Sequence, residues 1–466
     1  MEPNIFIEVP TYDIDHWTVT TFYSREEFRD FLLSVFKEPG EYNFDESSQI
    51  FNIEARKFHK QGYYCPAPVK SKDFITYWDD QKAKCRKGII VKSENGTWYI
   101  TRDYYMWLNF LPIYDKEEKR FDFAKVRDAQ YHMALYEHLA ELHYKHAIIL
   151  KKRQIASSYF HMAKLINQWV FEEGAILKIG ASLKDYINEK GSWKFLNEYR
   201  NFLNEHTAWY RPAEPDKVGA WNQQIKVRVN NRDTYRGLKS TINLYSFEKD
   251  PTHGVGGPVT YFFHEEGGIA PKMNDTYGFM KPALKSGHII TGQFIAAGSV
   301  GDLDQCEPMK EYIYHPEENG FYGVQSNLID KDGAPGVIGL FIPEQWSMPP
   351  YIDQYGNSLV KEALEALDKE FEKMKKDLDP GAYQLTISQH PRTLEEAFAT
   401  RKVSVFPPHL VARQMQRIQD KEYPVEYLEL SRNDEGKIID KPSRKIPIME
   451  FPLSKKTEDK EGVICI

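Results

Sequence analysis

The pattern of hydrophobic and polar residues along the chain changes near residue 147. Residues 1–140 mix aromatic clusters with short charged stretches, and strands and helices do not alternate there. An apolar run at residues 147–150 (AIIL) then predicts a buried strand. An amphipathic pattern over residues 158–171 predicts a helix that ends before Gly174. The chain therefore begins with an N-terminal elaboration, which a strand, a loop and a helix follow.

Four more apolar runs have the length and the β-branched or aromatic content of strands. Helical or irregular segments separate them, which is the alternation expected of a mostly parallel sheet. The predicted strands cover residues 176–180, 240–247, 259–263 and 292–297. The predicted fold class is α/β, with a mostly parallel sheet flanked by helices.

A charged segment at residues 361–378 carries an apolar stripe. Its apolar residues recur at steps of three and four, which predicts a helix that buries one face and ends before Pro380. The stripe consists of Leu364, Leu367, Phe371, Met374 and Leu378. Beyond residue 403 the chain becomes rich in Pro, Arg and Lys. We therefore divide the chain into an elaboration (1–120), an α/β domain (121–400) and a linker region (401–466).

Composition narrows the class of protein. A chain of 466 residues, 41% of them hydrophobic, is too large for a small module and too apolar for wholesale disorder. The net charge of −7 means that a nucleic-acid partner has to meet a local basic surface. The four cysteines form no CxxC pair, and the N-terminus lacks the features of a signal peptide, so we expect a soluble protein in a reducing compartment.

The loop after the first predicted strand has the length of the phosphate-binding loop GxxxxGK[ST]. Such a loop binds phosphates through backbone N–H groups, a helix N-terminus and a cation. In this alignment Ser158 supplies a hydroxyl for magnesium, but the motif's own lysine and glycines are absent. A basic strand end exposed to water is the alternative. The candidate phosphate-binding residues are Lys151, Lys152, Arg153, Gln154, Ala156, Ser157 and Ser158.

Two later strands end in residues that suit phosphoryl transfer. The strand at residues 259–263 runs into Glu265 and Glu266; one such carboxylate can hold the magnesium shell while its neighbour orients the attacking water. The strand at residues 292–297 ends in a small-residue turn, where Ser299 can sense the γ-phosphate. A strand entering solvent and an ordinary glycine turn are the respective alternatives.

In order and spacing, these three elements resemble the ATPase domain of the large terminase subunit, the DNA-packaging motor of tailed bacteriophages. Arg153 and Gln154, followed by Ser158, resemble the family loop R-Q-x-G-x-[ST]. Residues 391–398 (PRTLEEAF) resemble its P-x-T-x-E-E-A-F segment. The resemblance covers about residues 120–400 and implies a P-loop NTPase of the additional-strand type.

The resemblance also implies roles for individual residues. By it Lys151 is the phosphate-binding lysine at the start of the loop, Glu265 the magnesium-shell acid and Glu266 the catalytic glutamate. It implies an adenine contact for Gln130, through its amide, and a motif coupling hydrolysis to DNA movement around Ser299 and Gly301. The candidates for an arginine that stabilises the transition state are Arg153, Arg211 and Arg236, and an arginine of a neighbouring subunit is the alternative.

Two departures from the family pattern bear on affinity. No glycine lies between Lys151 and Ser158, and His264 occupies a place where Asp is common. Because a positive φ costs alanine roughly 1 kcal/mol, we expect a distorted loop or weak nucleotide binding.

The function implied by the resemblance is an ATP-hydrolysing motor that drives double-stranded DNA into a viral procapsid. ATP and Mg²⁺ are the implied cofactors. The implied partners are DNA, the portal protein, the small terminase subunit and further copies of the chain in a ring. The implied location is the host cytoplasm, with transient docking on the procapsid and no membrane. Nuclease activity is not expected, since residues 401–466 lead towards a nuclease domain that the chain does not contain.

Two other functions remain open at this point. A helicase-like P-loop ATPase acting on nucleic acid would share the loop and the acidic strand but would not require residues 391–398. A non-catalytic DNA-binding or structural module with a degenerate nucleotide site is the other alternative, because the loop lacks glycine. Zinc chemistry is disfavoured, since the histidines near residue 140 form no HExxH pair.

Overall fold

The computed structural model describes residues 6–116, 118–254, 256–301 and 303–399, with 413–414, 417, 427–432, 436–442 and 463–465. They belong to two compact units, Met1–Val403 and Ser404–Ile466. Among these residues, no helix is both long enough and apolar enough to cross a lipid bilayer.

The first part of unit 1 is a small sheet surrounded by helices. The elements are β1 (Ile7–Asp13), β2 (His16–Phe22), α1 (Arg25–Val35), α2 (Ile53–Gln61), α3 (Lys72–Lys87), β3 (Ile89–Lys92), β4 (Thr97–Ile100), α4 (Arg102–Phe110), β5 (Ile113–Asp115) and β6 (Arg120–Asp122). The sheet has the order β2-β1-β3-β4, and β5 and β6 form a separate hairpin. Hydroxyl side chains at Ser24, Ser71 and Thr101 accept hydrogen bonds from the first turns of α1, α3 and α4, which explains where these helices begin.

The rest of unit 1 is built around an eight-stranded sheet. Its elements, with the hairpins that branch from it, are α5 (Asp128–Leu142), β7 (Ala147–Lys151), α6 (Ser157–Phe171), β8 (Ile176–Ala181), α7 (Ser192–His206), β9 (Asp216–Lys217), β10 (Ala220–Asn222), β11 (Ile225–Val229), β12 (Arg232–Arg236), β13 (Thr241–Ser246), β14 (Tyr261–Glu265), α8 (Met273–Met280), β15 (Lys285–Ser286), β16 (Ile289–Ile290), β17 (Gln293–Gly298), α9 (Leu303–Tyr314), β18 (Val324–Ser326), β19 (Gly336–Ile338), β20 (Leu340–Ile342), α10 (Val360–Asp377), α11 (Pro380–Gln389) and α12 (Leu394–Ala397).

The order of the strands defines the fold class. The sheet runs β20-β7-β17-β14-β8-β13-β10-β9, and the first six strands are parallel. Strand β7 precedes the candidate loop, and β14 ends in the glutamates. Strand β17 follows both of them in the chain but lies between them in the sheet. This inserted strand is the feature of additional-strand P-loop ATPases, so the predicted fold class is confirmed.

The sheet is covered on both faces. Ile149 packs into one apolar cluster together with α4, α5 and α6, while its neighbours Ile148 and Leu150 pack into a second cluster with α8, α9 and α12. This alternation follows from the two-residue period of a strand. The first cluster also contains most apolar residues of β1 to β4, so the N-terminal elaboration shares a core with the sheet. The division at residue 120 stays a prediction.

The predicted elements agree with the structure apart from small shifts of their ends. The strand predicted at residues 259–263 lies at Tyr261–Glu265, so the first acid is its last residue. The charged helix is α10, and Leu367 and Phe371 of its stripe are buried against Ile387. Leu378 is 39% exposed and lies outside this small core.

Unit 2 contains a three-stranded antiparallel sheet of order β22-β21-β23. Its strands are β21 (Tyr427–Arg432), β22 (Ile438–Pro442) and β23 (Val463–Cys465). Most of the linker region predicted at residues 401–466 lies outside the described residues.

Candidate active site

Three strands that carry predicted site residues end side by side. Lys151 is the last residue of β7, and Glu265 is the last residue of β14. Between them β17 ends at Gly298 and pairs in parallel with both neighbours. The segments that follow these strands therefore emerge at the same carboxyl edge, where open parallel sheets bind ligands.

The loop that follows β7 turns through left-handed backbone conformations without a glycine. Gln154 has a φ of 62° and Ala156 a φ of 56°, and helix α6 begins directly afterwards at Ser157. The first N–H groups of a helix have no acceptor within it, and together with the helix dipole they attract anions. The turn into helix α6 thus forms despite the strain of roughly 1 kcal/mol at Ala156.

Groups that lie far apart in the sequence meet at this edge. Nζ of Lys151 lies 3.6 Å from Oε1 of Glu266. The hydroxyl of Ser158 donates a 2.8 Å hydrogen bond to Oε1 of Glu265. The loop and the acid pair, which the sequence predicts to surround one triphosphate, are therefore in direct contact.

Glu265 is held on both oxygens by serine hydroxyls. Besides Ser158, Ser192 at the start of α7 donates a 2.6 Å hydrogen bond to its Oε2. Burial and then the charge of Glu266 raise the pKa of Glu265, against the opposing effects of the hydroxyls and Lys151. The sequence did not identify Ser192, because no motif marks it and its position depends on how α7 packs.

Glu266 begins the turn after β14 and touches the segment after β17. Its φ is 50°, and its Oε2 accepts a 3.4 Å hydrogen bond from the N–H of Ser299. A Cβ at Gly268 would lie 2.0 Å from the carbonyl oxygen of Ser299, so only glycine fits there. The N–H of Gly301 donates to the carbonyl of Gly268 at 3.3 Å. The two predicted coupling residues are thus in contact with the turn that carries Glu266.

A cavity of about 740 Å³ opens beside these groups. Gln130 lines it and donates from Nε2 to the carbonyl of Ile155 in the loop, at 2.9 Å. Within the described residues, its buried Oε1 has no hydrogen-bond partner. This orphaned acceptor suits the amino group of an adenine, the contact that the resemblance implies for Gln130.

Aromatic side chains form another part of the cavity wall. Tyr114, Tyr159 and Phe195 line it, and the rings of Tyr159 and Phe195 have centroids 3.9 Å apart. Aromatic faces of this kind are platforms for a nucleobase. None of the three was identified from the sequence, since single aromatic residues are common in cores.

Lys152 is placed differently from Lys151. Its Nζ donates to the carbonyls of Glu344 and Ser347, at 3.0 and 3.2 Å, in the segment after β20. Burial lowers the pKa of Lys152 to about 8. Its ammonium group therefore joins the loop after β7 to the segment after β20, at the rim of the cavity.

A buried network supports the first turn of α6. The carbonyl oxygen of Ser157 lies 2.7 Å from Nδ1 of His161, whose Nε2 lies 2.8 Å from Oε1 of Glu137. Lys164 donates to the other oxygen of Glu137 at 2.9 Å. Burial would raise the pKa of Glu137, but Lys164 and His161 outweigh it and lower that pKa. The sequence pointed to Ser157 alone.

The three candidate arginines occupy different places. Arg153 is exposed and lines the cavity. Arg211 donates from its guanidinium to the carbonyls of Val170 and Tyr210, at 3.0 and 2.9 Å. Arg236 ends strand β12. Only the first of these three contributes to the cavity wall in this chain.

His264, in the place where the family often has Asp, is a core residue. Its ring lies near Phe247 and Phe294, with centroids 5.8 and 6.5 Å away. Burial lowers the pKa of His264 to about 4. The neutral imidazole of His264 therefore belongs to the core, and the carboxylates at the end of β14 are those of Glu265 and Glu266.

Residues 391–398 form a capped helix beside the sheet. The hydroxyl of Thr393 accepts from the N–H of Glu396, and Oε2 of Glu396 accepts from the N–H of Arg392, at 3.3 and 2.9 Å. Thr393 is thus the N-cap of α12, while the side chain of Glu396 reaches back to the residue before the cap. Leu394 and Phe398 are buried in the core on one side of the sheet. The segment therefore has a structural role outside the cavity.

The residues at this edge fit a nucleotide with magnesium. The oxygens of Ser158 and Glu265 are the hard ligands that Mg²⁺ prefers, and a cation there would offset the cost of the buried carboxylate. In the described parts of the chain, no group of three His, Cys, Asp or Glu residues forms a metal cluster. Magnesium would thus take its remaining ligands from water and phosphate, as it usually does.

Comparison with solved structures gives three examples from phages. The ATPase domain of the Thermus phage P74-26 large terminase has 7% sequence identity and a TM-score of 0.34, covering 53% of this chain and 88% of that one. A point mutant of that domain has 10% identity with the same TM-score and coverage. The large terminase of bacteriophage HK97 has 11% identity and a TM-score of 0.36, covering 72% of this chain and 66% of that one. No protein-family model and no curated protein matches the chain. These three structures are of large terminases, and at these identities the likeness is one of fold alone.

Proposed function

We propose that this chain is the ATP-hydrolysing motor of a viral genome-packaging terminase and drives double-stranded DNA into a procapsid. One observation carries the proposal: Lys151, Ser158, Glu265 and Glu266 meet at the carboxyl edge of an additional-strand sheet. The assignment to packaging, rather than to another ATPase, is supported by the loop beginning Arg153-Gln154 and by the PRTLEEAF segment.

The loop and its lysine bind the triphosphate. The N-terminus of α6 presents amide groups and a positive dipole end, and Lys151 adds a full charge at the end of β7. Gln130 and the aromatic wall of the cavity receive the base. Together these groups hold the γ-phosphate next to Glu266.

Ser158 and, through water, Glu265 would hold magnesium, which when bound neutralises charge on the phosphate oxygens. Ser192 keeps the carboxylate of Glu265 in place through its 2.6 Å hydrogen bond. Because the site is buried, these interactions are stronger than they would be in water.

Glu266 orients the attacking water and accepts its proton. Lys151 and the N–H of Ser299 contact the two oxygens of Glu266, at 3.6 and 3.4 Å, and so fix the carboxylate. Loss of the γ-phosphate next to Glu266 would therefore alter the hydrogen bond between Glu266 and the N–H of Ser299. Ser299 begins the segment that we propose to couple hydrolysis to DNA movement.

The partners follow from packaging. Translocation along DNA of any sequence requires contacts to phosphates, so binding depends strongly on salt. The portal protein, the small terminase subunit and further copies of the chain in a ring are the protein partners that we propose. The motor would act in the host cytoplasm while docked on a procapsid.

The test is Glu266→Gln, which keeps the shape of the side chain but removes its basicity. We expect ATP affinity, measured by calorimetry with magnesium, to change little, and turnover to fall by about 10²-fold or more. Glu365→Gln, an exposed residue of α10, is the matched control and leaves turnover unchanged.

Three outcomes would contradict parts of the proposal. Unchanged turnover in Glu266→Gln removes the catalytic assignment. No heat and no turnover in the unmodified protein favour the non-catalytic module. Strand unwinding in a gel assay favours a helicase-like ATPase over a packaging motor.

A further inference from the structure

A two-stranded hairpin, β11 with β12, branches from the sheet. The register pairs Ile225 with Arg236 and Val229 with Arg232. The two residues between the strands, Asn230 and Asn231, have φ values of 50° and 60°. This is the geometry of a type I′ turn, which asparagine tolerates and which matches the twist of a hairpin. The hairpin is therefore a defined element of the fold.

The hairpin concentrates positive charge in a chain whose net charge is −7. Residues 224–239 contain five basic residues and one acidic residue, Asp233. Lys226 pairs with Asp233 at 2.9 Å. Arg228, Arg232 and Arg236 are exposed, and no carboxylate of the described residues lies within ion-pair distance of them. Three guanidinium groups are thus available to an anionic partner.

The arginines lie on both faces of the hairpin. Residues opposite each other in an antiparallel pair share a face. Arg232 and Arg236 therefore share one face with Ile225 and Val229, while Arg228, opposite Asp233, lies on the other. A partner that surrounds the hairpin on two sides would meet positive charge on each.

The hairpin leaves the sheet at the edge opposite the candidate active site. Asn222 at the end of β10 pairs with Thr241, the first residue of β13. Leu238, at the base of the hairpin, accepts a hydrogen bond from Gly174, just before β8 begins. The hairpin is therefore at the amino edge of the parallel strands, whereas Lys151 and Glu265 lie at the carboxyl edge. Its charge is not needed for nucleotide binding.

We propose that the hairpin β11–β12 contacts the phosphate backbone of double-stranded DNA. The exposed arginines of the hairpin indicate a polyanionic partner. That this polyanion is DNA rests on the proposed function. Arginine binds phosphate bidentately, and a two-stranded ribbon fits a major groove about 12 Å wide. A ribbon that enters the groove edge-on presents each of its faces to one wall of phosphates, so Arg228 and Arg232 reach opposite walls.

The test is the double variant R228Q/R232Q, measured by fluorescence anisotropy with a random-sequence duplex of about 30 base pairs. Loss of two phosphate contacts makes the negative slope of log affinity against log salt shallower by about 2. It weakens binding about 50-fold at about 0.1 M salt. The control K375Q/K376Q removes the same charge from the exposed face of α10 and keeps the unmodified affinity. R228K/R232K keeps the charge and therefore most of the salt slope.

The outcomes separate this proposal from the proposed function. Unchanged DNA affinity in R228Q/R232Q, or an equal loss in K375Q/K376Q, overturns the hairpin assignment. So does a change in oligomeric state by sedimentation with DNA affinity unchanged, because the hairpin then contacts another copy of the chain. An unmodified protein that binds DNA through the hairpin but shows no ATP turnover overturns only the proposed motor function. Basal turnover without DNA is expected to be the same in R228Q/R232Q.

Discussion

At the scale of single residues, the carboxylate of Glu265 is buried beside a second carboxylate, and without a bound ligand this environment disfavours its negative charge. Burial and the charge of Glu266 raise its pKa, so the folded protein binds this proton more tightly than the unfolded chain does. The stabilisation from that proton is present at low pH, and it is lost as the pH rises through the raised pKa. At neutral pH, without magnesium, the charge of Glu265 is therefore destabilising.

We expect Glu265→Gln to raise the free energy of unfolding at neutral pH by about 1 kcal/mol, the order of a single stabilising change. The difference should disappear below the ordinary glutamate pKa of about 4.3, where both side chains are neutral. Urea unfolding over a pH series, without nucleotide or magnesium, measures it, and Glu365→Gln is again the control. A variant less stable than the unmodified protein at neutral pH would contradict this reading of Glu265.

Sequence reasoning at this scale identified residues that belong to a motif and missed residues that act through packing. Ser158 could be named from the length of the loop, the two glutamates from the acidic end of an apolar strand, and Lys151 from the resemblance to the terminase loop. Ser192 and His161 could not, since their contacts depend on where α6 and α7 pack. The loop was expected to be distorted because it lacks glycine. In the structure Ala156 adopts a positive φ, and the turn into α6 still forms.

At the scale of elements, the ion pair of Arg392 and Glu396 joins α12 to its neighbours. Arg392 donates from Nε to both oxygens of Glu396, at 3.2 and 3.1 Å, and also contacts Asp368 of α10. Burial would raise the pKa of Glu396, but the hydrogen bonds and charge of Arg392 outweigh it and lower that pKa. Residues 391–398 thus fix the position of helix α12.

Removing Arg392 should leave Glu396 buried without its main partner. We expect Arg392→Met to lower the free energy of unfolding by up to about 3 kcal/mol, because the buried carboxylate loses its main partner and keeps the weaker ion pair with Lys331, at 3.4 Å. The double variant Arg392→Met/Glu396→Gln should recover part of this loss. Chemical unfolding of the three proteins gives the comparison, and equal stabilities for the two variants would show that the charge of Glu396 is not the cause.

The elements that the sequence missed are those with weak local patterns. Strand β20 has three residues, Leu340–Ile342, too few for periodicity to show, yet it pairs with β7 at the edge of the sheet. Strands β1 to β4 lie in the section whose pattern showed no alternation, because their sheet is built mainly from antiparallel pairs among helices. Strands β7, β8, β14 and β17 were predictable because they are buried on both faces and their sequences are mainly apolar.

At the scale of the whole molecule, the two proposed sites lie at opposite edges of the large sheet. Nucleotide chemistry is proposed at the carboxyl edge of the sheet and DNA contact at the amino edge. Strands β8 and β14 pair along their length between these edges. The net charge of the chain indicated only that a basic surface would have to be local; which exposed residues form it depends on the fold.

The last prediction concerns whether the arginine of the transition state comes from the same copy of the chain. Arg153 lines the same cavity as Glu266, which favours action within one copy. We expect Arg153→Ala to lower turnover by about 10³-fold, and a mixture of Arg153→Ala with Glu266→Gln to stay as inactive as either variant alone. If a neighbouring copy supplied Arg153, sites in mixed rings would combine an intact Glu266 with an intact arginine, and activity would return on mixing. Turnover measured against the mixing ratio, at constant total protein, distinguishes the two arrangements, and Arg153→Lys, which keeps the charge without the planar fork, should retain an intermediate rate.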